Sequence, residues 1–353
     1  MNTSVLIKYI GSPYVDSKIK LSEDELKDVY ELAFKNRVAL LLLSKHYSKD
    51  WKGFALDKYK MLKDREDKTL EVVVRLANKL NKFDKDSYII FKSLKPYPAT
   101  PNDTDIIWMK NNTYKDLNAY LLKNGYIFHE WAPQQKTYFD EKGKDFVGHG
   151  KKGGTYYIDL YEEISTDYFP YLNKNNLEKF VYRKSINNEK INLLKPEPEI
   201  AILLMHNIFP ERTFQLEHFY LTLYYFKDNF NKKLFVEFVK KNRLVPAIKT
   251  NLTIVAYIHK KYFGFVPIEI SSVLDQFGDN DYELRRFIKY QENTPYMFSP
   301  YIFWHTFFNK LGEWYSFKGF LIQLFKMLNP IFFFDVLRSI KNRFSKEGTY
   351  HQE

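Results

Sequence analysis

A chain of 353 residues is long enough for one large domain or two to three modest ones, and its 45% hydrophobic content supplies the apolar surface that cores need. The formal net charge of +11 favours polyanionic partners, whether RNA, DNA, nucleotides or an acidic membrane surface, without choosing among them. The absence of cysteine excludes a disulfide framework or disulfide partner, Cys-ligated zinc and a thiol nucleophile, so any metal site must use carboxylate or histidine.

The segment Met1 to Lys18 has no basic start followed by a long apolar core, so a secretory signal is not expected and a cytoplasmic location is the default. Ser22 with Glu25 three residues later is a capping box, and Leu26, Val29, Tyr30, Ala33 and Phe34 follow at helical spacing. Val38 to Leu43 continues as an apolar run, and Leu70 to Leu80 repeats the helical pattern with charges on its outer face. Residues 1–85 therefore read as a helical lead-in.

The texture changes at Asp86. Tyr88 to Phe91 is a short β-prone run, Lys95 to Asn102 is a loop punctuated by Pro96, Pro98 and Pro101, and a second strand is expected over Asp103 to Met109. Asn112 or Thr113 starts a helix through Leu117 and Leu121 that Gly125 stops. Tyr126 to Trp131, Lys136 to Asp140 and Thr155 to Glu162 read as strands. The glycine- and lysine-rich stretch Gly148 to Gly154 lacks phosphate-loop spacing and reads as a basic hairpin turn.

From Asp167 onward helical patterns dominate, with Pro196 and Pro198 at a helix start before Ile200 to Ile208. The expected division is a helical lead-in over 1–85, a small α+β core with a mixed sheet over 86–165, a helical domain over 166–295 and aromatic, basic helices over 296–353. The aromatic segments Tyr301 to Phe308 and Phe317 to Phe334 suit a core or a partner interface. Because Arg338, Lys341, Arg343 and Lys346 follow them, a second reading is an amphipathic helix in peripheral contact with a membrane. Lys318, Lys326, Asn329, Pro330 and Asp335 interrupt the apolar run, which falls short of the roughly 20 residues a transmembrane helix needs.

The chemistry concentrates in the 86–165 core. The two-residue period of a strand points Asp103 and Asp105 to one face and Thr104, Ile106 and Trp108 to the other. Two adjacent carboxylates repel unless a cation lies between them, and Mg²⁺ or Mn²⁺ with hard oxygen ligands is the usual solution. Asp159, in Tyr157-Ile158-Asp159-Leu160-Tyr161, supplies a third carboxylate from a neighbouring strand. Three such groups can hold two metals about 3.5 to 4 Å apart, which clamp the attacking and leaving oxygens of a phosphoryl displacement. Lys92, Ser93 and Lys95, just after the first strand, offer a hydroxyl and positive charge for phosphates.

The order of strand, small residue, ten-residue loop and Asp-x-Asp resembles the polymerase-beta-like nucleotidyltransferase superfamily. Within it, Phe91-Lys92-Ser93 and Ile158-Asp159-Leu160-Tyr161 resemble the Leu-Lys-Gly and Ile-Asp-Leu-His motifs of a family of uncharacterised bacterial and archaeal nucleotidyltransferases. Tyr30 to Ala39 is similar to that family's N-terminal helix, and Pro196 to His206 to its Pro-Glu-Asp-to-His helix, a structural or acceptor-side place for His206. The resemblance implies transfer of an NMP from an NTP, with Asp103, Asp105 and Asp159 as catalytic metal ligands and Lys92, Ser93 and Lys95 at the triphosphate. Ser93 stands where the family has glycine and Tyr161 where it has histidine, so the alternative is a nucleotide- or RNA-binding module without turnover. The acceptor classes that fit are RNA such as tRNA, a protein hydroxyl as in a toxin or modifying enzyme, and a sugar phosphate at a membrane. Lysines 92, 95, 110, 142, 144, 151 and 152 are expected to form a rim that tracks a polynucleotide.

Overall fold

Among the described residues, nine short strands lie between residues 88 and 194: β1 (Tyr88–Phe91), β2 (Asp103–Trp108), β3 (Tyr126–Ala132), β4 (Gln135–Asp140), β5 (Tyr157–Tyr161), β6 (Ile164–Thr166), β7 (Phe169–Leu172), β8 (Val181–Ile186) and β9 (Glu189–Leu194). The computed structural model describes residues 3–15, 19, 21–101, 103–140, 156–166, 168–227 and 230–344. Helices precede and follow the strands, which makes the chain an α+β protein with a mixed seven-stranded sheet and helical N- and C-terminal regions. Two compact units share the chain. One comprises Met1–Glu66, Lys95–Thr100 and Ile200–Asn309, the other Asp67–Leu94, Pro101–Glu199 and Lys310–Glu353.

The sheet belongs to the second unit and runs in the order β3-β4-β5-β2-β1-β9-β8. β2 pairs with β5 in parallel, as does β1 with β9, and the remaining neighbours are antiparallel. One face of the sheet packs into an apolar core. Ile90, Ile106, Trp108, Ile158 and Leu160 from that face form one core with Val73, Leu76 and Leu80 of the long helix Gly53–Asp84 and Leu117 and Leu121 of the helix Tyr114–Lys123. Each such side chain stabilises the fold by about 1.5–3 kcal/mol through removal from water. The other face is thereby left to the residues of opposite parity, Asp103, Asp105 and Asp159 among them.

The sheet extends beyond the boundary expected at residue 165, because β8 and β9 form a hairpin that joins it through β1. Their two-residue turn is Asn187-Asn188, both at positive φ (48° and 65°), the backbone that a tight hairpin turn requires and that asparagine tolerates. Lys174, 2% exposed, lies in the short 3-10 helix Lys174–Phe180 and donates from Nζ to the carbonyls of Trp108 (2.7 Å) and Glu162 (2.6 Å), tying the ends of β2 and β5.

In the first unit the capping box is present as expected: the Ser22 hydroxyl accepts from Glu25 N–H and the Glu25 carboxylate accepts from Ser22 N–H at the start of Glu23–Lys35. At the other end of that helix Asn36 is fully buried. Its amide donates to Leu32 O and Thr294 O, and its side-chain oxygen accepts from Leu216 N–H at the start of the helix Leu216–Lys227. The Gly148–Gly154 turn lies outside the described residues.

In the second unit the helix Trp314–Lys326 packs on β7 through small residues: Ser316 Oγ donates to Pro170 O at 2.7 Å, and Gly319 faces the Pro170 ring. A Cβ built on Gly319 would lie 2.1 Å from Pro170 Cδ and 2.7 Å from the Tyr168 carbonyl. Gly319→Ala is therefore expected to cost about 1–3 kcal/mol through overpacking, despite alanine's better helix propensity. Urea denaturation checks this, and unchanged stability would refute the contact.

Candidate active site

The β2–β5 register decides the geometry of the carboxylates. Asp105 pairs with Asp159 across the two parallel strands, so the side chains stand beside one another on the same face at the strand spacing of about 4.8 Å. Asp103, two residues earlier in β2, shares that face. Asp105 is 4% exposed, whereas Asp103 and Asp159 are partly buried.

β1 closes the site from the other side of β2, with Phe91 opposite Asp105. Directly after it Lys92 adopts φ +59°, a left-handed conformation that reverses the chain at an energetic cost for a side chain with a Cβ. Four hydrogen bonds hold the turn: Ser93 N–H and Oγ both donate to Phe91 O (2.7 and 2.9 Å), Asp105 N–H donates to Ser93 Oγ (3.0 Å), and Lys92 N–H donates to Glu199 Oε1 (2.5 Å). The result is that the Lys92 side chain runs over the rings of Phe91 and Tyr161, with Nζ 4.9 and 5.2 Å from their centroids, and ends 3.0 Å from Asp105 Oδ1.

The electrostatics follow from burial in company. Burial would strip the proton from Lys92, but the charge of Asp105, with the Tyr171 phenol and Asp103 beyond it, outweighs that and holds the ammonium above its ordinary range. Asp159 moves the other way. Burial and then the adjacent Asp105 charge push its carboxyl up to about 6, against the pull of the Thr137 hydroxyl, which donates to Oδ1 at 2.6 Å, and of Lys92. Burial, followed by the charges of Asp105 and Asp159, keeps the Tyr161 phenol protonated.

The structure brings some of the expected site residues together and gives the others different partners. Asp105, Asp159 and Lys92 meet on one face, with Asp103 beside them. Ser93 is 2% exposed and its hydroxyl works within the protein on both sides, so as placed it positions the turn and Asp105 instead of facing phosphate. Lys95 belongs to the other unit, where its ammonium is 3.4 Å from the buried Glu217, whose carboxyl is held down at about 2: burial raises it, and Lys95 and Arg37 more than reverse that. His206 is partly buried, 3.8 Å from Glu211. Of the expected lysine rim, the described members are each paired with a carboxylate, Lys92 with Asp105, Lys95 with Glu217 and Lys110 with Asp84 at 2.6 Å, while 142, 144, 151 and 152 lie outside the described residues.

Sequence reading missed Glu199 and Thr137. Glu199 had a signal, since it lies in the Pro-Glu-Pro-Glu start of the helix Pro196–His206, but nothing in the sequence pairs it with the backbone of Lys92. Thr137 is identifiable only through the β4–β5 register, which sets it opposite Asp159.

The donor set, hard carboxylate oxygens including a buried Asp105 Oδ1 that accepts no aligned hydrogen bond, has the chemistry a divalent cation such as Mg²⁺ requires. As the side chains stand, no group of three or more histidine, aspartate or glutamate residues among the described ones is placed so that it could hold a metal ion, and the ammonium of Lys92 supplies the positive charge at Asp105.

No family model matches the sequence, and no curated protein does. Among solved structures, an antigenic nucleotidyltransferase-like protein from Paracoccidioides brasiliensis is similar over 68% of this chain and 98% of its own, at 14% identity and a TM-score of 0.33.

Two outcomes follow from the electrostatics. The raised carboxyl of Asp159 makes the folded state hold a proton that the unfolded state has already lost between pH 3.8 and about 6, so its contribution to stability falls as pH rises through that window and stays low above it. Asp159→Asn, measured in chelator by urea denaturation, is expected to be more stable than wild type by about 1–3 kcal/mol at pH 8, with the gain vanishing below pH 4. Lys92→Met should do the opposite, costing about 3–5 kcal/mol at pH 8 by leaving buried carboxylates without a counterion, with part of the loss restored by millimolar Mg²⁺. A Lys92→Met protein as stable as wild type would dismiss the lysine as the site's counterion.

Proposed function

We propose that this chain is a nucleotidyltransferase that moves an NMP from an NTP to an acceptor hydroxyl on RNA or protein. The observation that carries the reading is the parallel β2–β5 register, which sets Asp105 beside Asp159, with the Lys92 turn closed over them. Asp105 and Asp159, with Asp103, would hold Mg²⁺ or Mn²⁺, which when bound neutralises the triphosphate and stabilises the leaving pyrophosphate. Lys92 brings an ammonium on a flexible stem that can turn from Asp105 to a phosphate oxygen. Asp159, in the same cluster, would take the proton of the attacking hydroxyl. Ser93 and Glu199 hold the turn that aims Lys92, and Thr137 orients Asp159. Most of the rate would come from positioning and charge.

The Lys92 ammonium already seated at Asp105 favours a second reading, a nucleotide-binding module without turnover. Incubating the full chain with each α-labelled NTP, Mg²⁺ and total cell extract separates the two. Transfer predicts label on RNA or protein, lowered roughly 10²-fold or more by Asp105→Asn, which keeps the shape and removes the charge. NTP binding by calorimetry without labelling selects the module. Neither binding nor labelling would sink both.

A further inference from the structure

The helix Trp314–Lys326 is amphipathic in the wrong sense for a helix that packs on its own protein. Its inner face carries the buried Ser316 and Gly319, seated on Pro170 of β7, while Trp314 is 72% and Phe325 73% exposed on the other side. The same apolar surface continues through Leu328 (79%) into the helix Pro330–Phe344, with Ile331 (74%) and Phe334 (66%) outward. A large apolar face of this kind on a folded chain marks an interaction surface.

Three observations identify what covers it. The first is charge: between residues 314 and 346 there are six basic side chains and one acidic, and Lys318, Lys326 and Arg338 are exposed beside the aromatics. A second copy of this chain docking through the same patch would bring that basic surface against itself, at a cost, whereas an anionic surface satisfies the apolar and the basic residues together. The second is length. Thirteen residues of helix extend about 20 Å at 1.5 Å per residue, against the roughly 30 Å of a bilayer core, and no single described helix is long and apolar enough to cross one. The third is shape: the two helices meet at 116°, so neither continues the other as one straight span. Tryptophan, phenylalanine and leucine flanked by lysine and arginine are the composition of helices that lie in the headgroup region.

We propose that the helix pair Trp314–Lys326 and Pro330–Phe344 docks the protein on the surface of an anionic lipid bilayer, its aromatics inserted among the acyl chains and its basic residues on the headgroups. The face is independent of the carboxylate site, so the nucleotidyltransferase reading can fail without it. The test is flotation of the full chain with vesicles of phosphatidylcholine alone or with 30 mol% phosphatidylglycerol, at low and high salt (composition chosen so that charge is the variable). Retention on the anionic vesicles is expected, weakened by salt. Phe325→Ser with Leu328→Ser should abolish it, and Lys318→Glu with Lys326→Glu should weaken it by about tenfold or more. All four positions are exposed, so the variants should unfold at the wild-type urea midpoint. Failure to float on anionic vesicles, flotation unchanged by the serine substitutions, or a solution dimer that those substitutions dissociate in the absence of any vesicle binding would each overturn the proposal, the last in favour of a second copy.

Discussion

Everything proposed for the carboxylate face depends on β2 and β5 running parallel in a register that sets Asp105 beside Asp159. A shift of one residue would send one of the two side chains into the apolar core on the opposite face. That core fixes the register: Ile106 and Trp108 on β2 and Ile158 and Leu160 on β5 are all fully buried, and turning them outward would forfeit up to about 1.5–3 kcal/mol each. Burial on one face thus enforces like-charge crowding on the other. The fold holds two carboxylates at a separation they would not choose, and it does so because four apolar side chains behind them leave no alternative.

Lys92 tempers this arrangement without cancelling it. Its position is possible because the chain turns through a left-handed residue immediately after β1, and the cost of that conformation is met by the bonds of Ser93 to Phe91 and Asp105 and of Lys92 N–H to Glu199. Ser93, which follows Lys92, does not need positive φ; the left-handed residue is the lysine itself. The serine hydroxyl is then available to bridge β1 to β2. Lys92 thus answers one carboxylate, Asp105, of the pair that the register sets side by side.

Much of this was legible in the sequence, and the limits have physical causes. A β-prone run located β1, and the two-residue period of a strand sorted Asp103 and Asp105 from Thr104, Ile106 and Trp108. Local chemistry located the Ser22 cap: capping partners are three residues apart. The β8–β9 hairpin had its signal in Asn187-Asn188 but little alternation around it, since Tyr182 to Ser185 are exposed on both faces. Partners distant in sequence left no signal at all. Lys95 was assigned to phosphates because it follows β1 closely, yet its charge is met by Glu217, 122 residues further along the chain. Likewise Asn36, within the Tyr30–Ala39 segment, is bonded to Thr294 and Leu216, partners far along the chain that the sequence does not pair with it.

The C-terminal helices show the complementary weakness of periodicity. A stripe of apolar residues at helical spacing says that one side avoids water; it does not say whether the protein or something else provides the shelter. In Trp314–Lys326 the deciding residues are the small ones. Gly319 and Ser316 lie on the same face, and only a face without bulky side chains can approach Pro170 so closely that a single added methyl group would collide at 2.1 Å. Once the small face is committed to β7, the helix geometry leaves Trp314 and Phe325 no position except outward. A sequence reader who weighs only the aromatics would bury them. Close packing through glycine reverses that conclusion, and it leaves the aromatic stripe exposed.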